Sequence, residues 1–250
     1  MKEIELEQAM EDFSLLCDQC KAYISHSPLK KSELDYARTA SKSSHTAEGA
    51  PEVSTEGRLP KDCSFEELQC MVKGCTKCKL QATRHNTVFG EGVMHPLVMV
   101  IGEGPGADED ATGRPFVGRG GQYLDKWLAS IGLSREHNVY IANIIKCRPP
   151  ENRTPEVDEI LSCIEYVKRQ IELIQPRMIL LSGATASHAL LENPNGVGRL
   201  RGQFYQVKGI PALVTYHPAG VLRNPNLRRP VWEDMKHIAS FLNLSIPGRS

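Results

Sequence analysis

Several things this chain lacks narrow it before any motif is read. It has no net charge, since 30 Lys and Arg balance 30 Asp and Glu over 250 residues, so bulk charge assigns it no polyanionic partner. It has no run long and apolar enough to span a bilayer, which argues against a membrane protein. Its start, MKEIELEQAMEDF, lacks the basic stretch and apolar segment of a secretory signal, so the expected compartment is the cytoplasm. Eight cysteines in such a chain read as metal ligands or reactive thiols rather than a disulfide framework.

A further absence divides the chain. Residues 25–61 are rich in Ser, Thr, Ala and charge but almost empty of large apolar side chains. That composition cannot bury enough surface to offset the entropy of ordering, and it reads as a linker. Before it, residues 1–24 place Ile4, Leu6, Met10, Phe13, Leu16 and Tyr23 at helical spacing, an acidic amphipathic helix suited to docking a protein partner. After it, residues 62–244 read as one folded domain.

In that domain the apolar runs LVMVIG, NVYIANIIK, RMILLSG and PALVTY alternate with helical patterns. The helices are expected over 121–131, 155–174, 184–191 and 230–242, with Pro155 and Pro230 in first turns. Strands apolar on both faces and separated by helices predict an α/β fold: three layers, α/β/α, around a mainly parallel four-stranded sheet. Ligands of such sheets bind beyond the carboxyl ends of the strands. The segments leaving those ends bring forward Glu103, Asn143 and His217.

The first of these segments, GEGPGADEDATGRPFVG, has the glycines of a phosphate cradle, yet Glu103, Asp108, Glu109 and Asp110 would repel a phosphate. Two CxxC pairs are also present, Cys17/Cys20 and Cys75/Cys78. Cys75 and Cys78 open the domain, Cys147 ends the second strand and Cys163 lies in the next helix, a thiolate set that suits zinc or an iron–sulfur cluster equally. Cys63 and Cys70 are competing ligands, while Cys17 and Cys20, on the outlying helix, read as incidental or redox-active thiols.

Between Asn193 and Trp232 there is no acidic residue at all, while Arg199, Arg201, Lys208, Arg223, Arg228 and Arg229 fall in that interval. Five arginines among Gly, Asn and Pro form a track for a nucleic-acid backbone. His217 sits in its middle, directly after a strand and before Pro218.

CTKC, NTVFGEG, GEGPGADEDATGRPFVGRGG, NIIKCRPP, LSGATA, RLRG and HPAGVLRNP occur in this order from about Ser64 to Leu242. Together they resemble the iron–sulfur-containing uracil-DNA glycosylases, family 4 of that superfamily. The resemblance implies a monofunctional DNA repair hydrolase that flips uracil from single- or double-stranded DNA and cleaves its glycosidic bond. It implies a [4Fe-4S] cluster on Cys75, Cys78, Cys147 and Cys163. Phe116 is implied as the stacking platform, Asn143 as the uracil reader, and His217 as the donor to uracil O2. Glu103 and Gly104 line the opposite side, where Glu103 would position water, stabilise the sugar cation or fill the space a thymine methyl needs, and Arg199, Arg201, Arg223, Arg228 and Arg229 contact DNA. The chain is read as a monomer. Gly220 departs from the larger residue, often Tyr, or Ala that commonly follows HPA in the family, so a wedge into the duplex would come from Val221, Leu222 or Arg223. Three rival readings remain: a glycosylase for another deaminated base, a catalytically inactive iron–sulfur DNA-binding module, and a zinc-bound nucleotide-binding protein.

Overall fold

A computed structural model describes residues 63–246. The expected N-terminal helix, the linker and the Cys17/Cys20 pair lie outside the described residues. From Cys63 onward the helices are α1 (Phe65–Lys73), α2 (Ala107–Thr112), α3 (Arg119–Ala129), α4 (Val157–Ile174), α5 (Ala184–Leu191), α6 (Val197–Leu200), α7 (Pro218–Arg223) and α8 (Arg228–Leu242). The strands are β1 (Glu91–Gly92), β2 (Val98–Gly102), β3 (Val139–Asn143), β4 (Met178–Ser182), β5 (Phe204–Val207) and β6 (Ile210–Thr215).

One six-stranded sheet results, in the order β1-β3-β2-β4-β6-β5. Its middle four strands run parallel and coincide with the four apolar runs. The sheet is wider than the expected four strands because β1 and β5 add antiparallel edges. Neither edge announces itself in the sequence. β1 is two residues of the glycine-rich FGEG, and β5 leaves Phe204 and Gln206 exposed, as an edge strand can.

Each central strand buries both faces, and its side chains alternate between two clusters. Met99, Ile101, Ile179 and Leu181 face α1, α4 and α5. Val98, Val100, Met178 and Leu180 face α3, α7 and α8. These are the three layers. Pro230 occupies the first turn of α8 as expected, whereas Pro155 stands just before the α4 N-cap, Glu156. Among the described residues no helix is long and apolar enough to cross a membrane.

The chain leaves β2 for β3 on one side and reaches β4 on the other, so the crossovers diverge at β2. Divergence opens a crevice at the carboxyl ends of these strands.

Candidate active site

A cleft of about 530 Å³ lies at that crevice, and Glu103, Gly104, Phe116, Asn143, Ser182 and His217 all line it. Asn143 ends β3, Glu103 and Gly104 follow β2, Ser182 ends β4 and His217 follows β6, so four neighbouring strand ends supply the walls. The structure therefore gathers Glu103, Gly104, Phe116, Asn143 and His217 around one volume.

Phe116 is buried over the sheet end and adopts φ 53°, a left-handed backbone that costs a side-chain-bearing residue about 1–2 kcal/mol. Three neighbours hold it there. Buried Arg135 donates from Nη1 to the Pro115 carbonyl (3.0 Å) and from Nη2 to the Phe116 carbonyl (2.8 Å). Gly121 in α3 passes so close that a Cβ there would lie 1.9 Å from the Phe116 carbonyl oxygen. A Cβ on Gly102 would meet the Phe116 ring at 2.5 Å and Asn143 Oδ1 at 2.6 Å, so only glycine lets the ring and amide approach the end of β2. The Phe116 and His217 rings are 5.6 Å apart between centroids.

The acidic loop is explained by its hydrogen bonds. Glu109 Oε1 accepts from the backbone N–H groups of Val117 (2.8 Å) and Gly118 (2.9 Å), and its Oε2 accepts from Gly106 N–H (3.0 Å). Buried Asp110 accepts from the backbone N–H and ring Nδ1 of His85 and from Asn86 N–H. Glu103 accepts from the Thr185 hydroxyl at the start of α5. Three of the four carboxylates are thus satisfied by N–H and O–H donors of the protein itself, and Asp108 is exposed.

His217 is the N-cap of α7, where its Nδ1 accepts from Ala219 N–H at 3.3 Å. An accepting Nδ1 places the neutral ring's proton on Nε2. Burial, reinforced by the Arg223 cation, pushes this imidazole down from 6.5 to about 4, so it is neutral near pH 7. Across the cleft, Asn143 is 1 % exposed and its Oδ1 has no hydrogen-bond partner. A buried acceptor left unpaired costs about 1–3 kcal/mol, so it calls for a donor from a ligand or water.

A second, smaller cleft is lined by Cys75, Cys78, Cys147 and Cys163, drawn from three separated segments. Arg84 Nη1 donates to Cys147 Sγ at 3.1 Å, and the Lys146 backbone N–H lies 3.3 Å from Cys163 Sγ. Burial raises the thiols of Cys78 and Cys147 and pushes Cys163 up to about 12, so these three stay protonated when free. Among the described residues no group of three or more His, Cys, Asp or Glu is gathered closely enough for a single metal ion. Buried Cys63 and exposed Cys70 do not line this cleft.

The basic strip separates by partner. Arg199, Arg223, Arg228 and Arg229 are exposed, and Arg223 also lines the main cleft. Arg201 instead turns to buried Asp234 of α8, with Nη2 2.7 Å from Oδ1, and donates to the Pro230 carbonyl. Lys208 pairs with Glu172 at 2.8 Å. Arg135, Thr185 and Ser182 were not among the expected site residues. The last two sit in LSGATA at a strand end, a position that marks them, whereas nothing in SREHN marks Arg135.

The profile of the uracil DNA glycosylase superfamily matches residues 89–236. The type-4 uracil-DNA glycosylase of Pyrobaculum aerophilum is 42 % identical over 179 residues, covering 68 % of this chain and 91 % of that protein. That of Saccharolobus solfataricus is 45 % identical over 181 residues, covering 69 % and 83 %. A DNA polymerase of Bacillus phage SP01 is 29 % identical over 158 residues, which cover 63 % of this chain but 17 % of the polymerase.

Proposed function

Since the chain belongs to the uracil DNA glycosylase superfamily, and its relatives include type-4 enzymes, we propose that it hydrolyses the N-glycosidic bond of uracil in DNA. The product is an abasic site for base excision repair. One observation carries the assignment of roles: a buried, unpartnered Asn143 Oδ1 faces a cleft that also holds a neutral Nε2–H imidazole.

The target base leaves the stack at a cost of about a few kcal/mol. Phe116 offers it an aromatic face, worth roughly 1–3 kcal/mol. Asn143 Oδ1 accepts from uracil N3–H and its Nδ2 donates to O4. Cytosine inverts both demands and leaves buried polar groups unpaired, which rejects it. As the C1′–N1 bond breaks, its electron pair stays on the base and negative charge builds at O2. His217 Nε2–H donates there, a contribution of about 3–4 kcal/mol. Glu103, whose carboxylate accepts from the Thr185 hydroxyl, orients the water that attacks C1′ on the face of the sugar opposite the bound base, with Gly104 backbone beside it.

Arg199, Arg223, Arg228 and Arg229 track the DNA phosphates. Arg201, paired with Asp234, fixes the loop that presents Arg199. Val221 is fully buried, which leaves Leu222 or exposed Arg223 to fill the duplex gap. The four cysteines lining the smaller cleft, with N–H donors on Cys147 and Cys163, supply the four thiolates that a [4Fe-4S] cluster takes. Bound there, the cluster would cross-link the segments carrying Cys75/Cys78, Cys147 and Cys163. Hydrolysis itself transfers no electrons. The active unit is residues 62–244, acting as a monomer in the cytoplasm, with residues 1–24 available to a protein partner through the 25–61 linker.

The test uses oligonucleotides bearing one uracil, single-stranded and duplex, and protein purified without oxygen. Hot alkali should cut at the uracil position, and Asn143→Ala and His217→Ala should suppress the cut. An uncut strand with DNA still bound would remove the glycosylase reading.

A further inference from the structure

Two unpartnered buried side-chain oxygens belong to residues lining the main cleft, Asn143 Oδ1 and Ser182 Oγ. Uracil recognition uses the first and gives the second no role. Ser182 is fully buried at the end of β4, and a hydroxyl there without a partner carries the same cost as the Asn143 acceptor.

Strand alternation fixes where Ser182 points. Leu180, two residues earlier, faces α3 and α8, so Ser182 shares that face. Its register partner on β6, Thr215, also faces α8, because Thr215 Oγ1 donates to Asp234 at 2.7 Å. On β2 and β3 the same face ends in Gly102 and Asn143, which are paired with each other. Asn143, Gly102, Ser182 and Thr215 therefore form one row across the sheet end, against which Phe116 packs. Thr215 is committed to Asp234, which leaves Ser182 as the row's unpartnered hydroxyl.

We propose that Ser182 contacts the substrate base, its Oγ–H donating to O2 of the flipped pyrimidine beside the Nε2–H of His217. The inference rests on the uracil reading above. Around the ring the edge atoms run O4, N3, O2, and the walls run in the same order: Asn143 for O4 and N3, then β4, then His217. The backbone after Ser182 abuts that histidine, since a Cβ on Gly183 would lie 3.0 Å from His217 Cβ. A carbonyl oxygen has two lone pairs, so two donors saturate it. Each bond tightens as O2 takes up the electron pair of the breaking C1′–N1 bond, and Ser182 keeps its proton throughout.

Single-turnover excision decides the matter, with single-stranded oligonucleotides carrying uracil, 2-thiouracil or 4-thiouracil. Sulfur is a weak acceptor, so 2-thiouracil deletes the contact from the substrate side. Ser182→Ala should slow uracil and 4-thiouracil about ten-fold or more, while its effect on 2-thiouracil shrinks to about two-fold or less. Melting temperature and affinity for abasic-site DNA should hold. Should Ser182→Ala melt early, Ser182→Cys keeps a side chain of similar shape with a weak donor and carries the same comparison. Equal slowing on all three bases, or none on uracil, overturns the assignment. A wild-type protein that leaves uracil intact would instead overturn its premise, in the same gel.

Discussion

Arg135→Met tests whether the aromatic wall of the cleft is held from behind. Arg135 is 8 % exposed and donates to the carbonyls of Pro115 and Phe116, while Asp125 Oδ1 accepts from its Nε and Nη2 at 3.1 and 2.8 Å. Methionine keeps much of the volume and removes every donor. Two carbonyls then lose their partner, at about 1–3 kcal/mol each, so stability should fall by roughly 2–6 kcal/mol. The half-exposed Asp125 adds little, because water takes the place of its partner. Without those bonds the left-handed Phe116 backbone relaxes and the ring leaves its place. Losing a stacking platform worth roughly 1–3 kcal/mol slows excision about 5- to 150-fold. The assay is a double-mutant cycle with Phe116→Ala, reading denaturant melts and single-turnover excision at a temperature where all four proteins are folded. Arg135→Met should be nearly silent for excision once Phe116 is gone. If it slows excision by the same factor in both backgrounds, Arg135 does not act through Phe116.

His217, lowered from 6.5 to about 4, refuses a proton that the unfolded chain accepts, so stability should fall by about 3 kcal/mol as pH drops from 6.5 towards 4. The excision rate should stay level through that range and decline only near 4, and His217→Ala should lose the stability slope; a rate that instead halves near 6.5 would contradict a neutral donor. Protein purified without oxygen should show broad visible absorption that Cys163→Ala or Cys147→Ala removes together with part of the thermal stability; iron-free, colourless wild type would refute the cluster. Gly220→Ala should raise stability by up to about 1 kcal/mol and spare single-strand excision, because Gly220 lies in α7 and a Cβ there meets nothing within 4 Å; a lower melting temperature would refute this.

The parallel strands were readable because burial on both faces demands continuous apolar runs such as VMVIG and MILLS, and no helix writes that pattern so briefly. Asn143 and His217 were readable because a polar residue closing such a run stands at the ligand edge. Glu109 was visible only as an acid, since the amides it serves lie eight and nine residues onward and meet it through a loop reversal. Arg201 looked like every other arginine of its strip. Its inward turn depends on Asp234, which lies 33 positions away and is buried only once α8 packs on β6. Arg135 carried no signal at all, because buried carbonyls leave no trace in a sequence.

Glu109 has a consequence for the timing of recognition. One carboxylate joins Gly106 to Val117 and Gly118, so two stretches of the cleft wall are fixed to each other in the free protein. Ordering a residue costs roughly 1–2 kcal/mol, and loops that settle only on contact charge that amount against affinity. Here the expense falls on folding, long before DNA arrives. A protein searching many undamaged bases spends nothing on rearranging this wall at each one. The Val117 and Gly118 amides should accordingly exchange slowly with solvent deuterium in the free state, and no slower once product is bound.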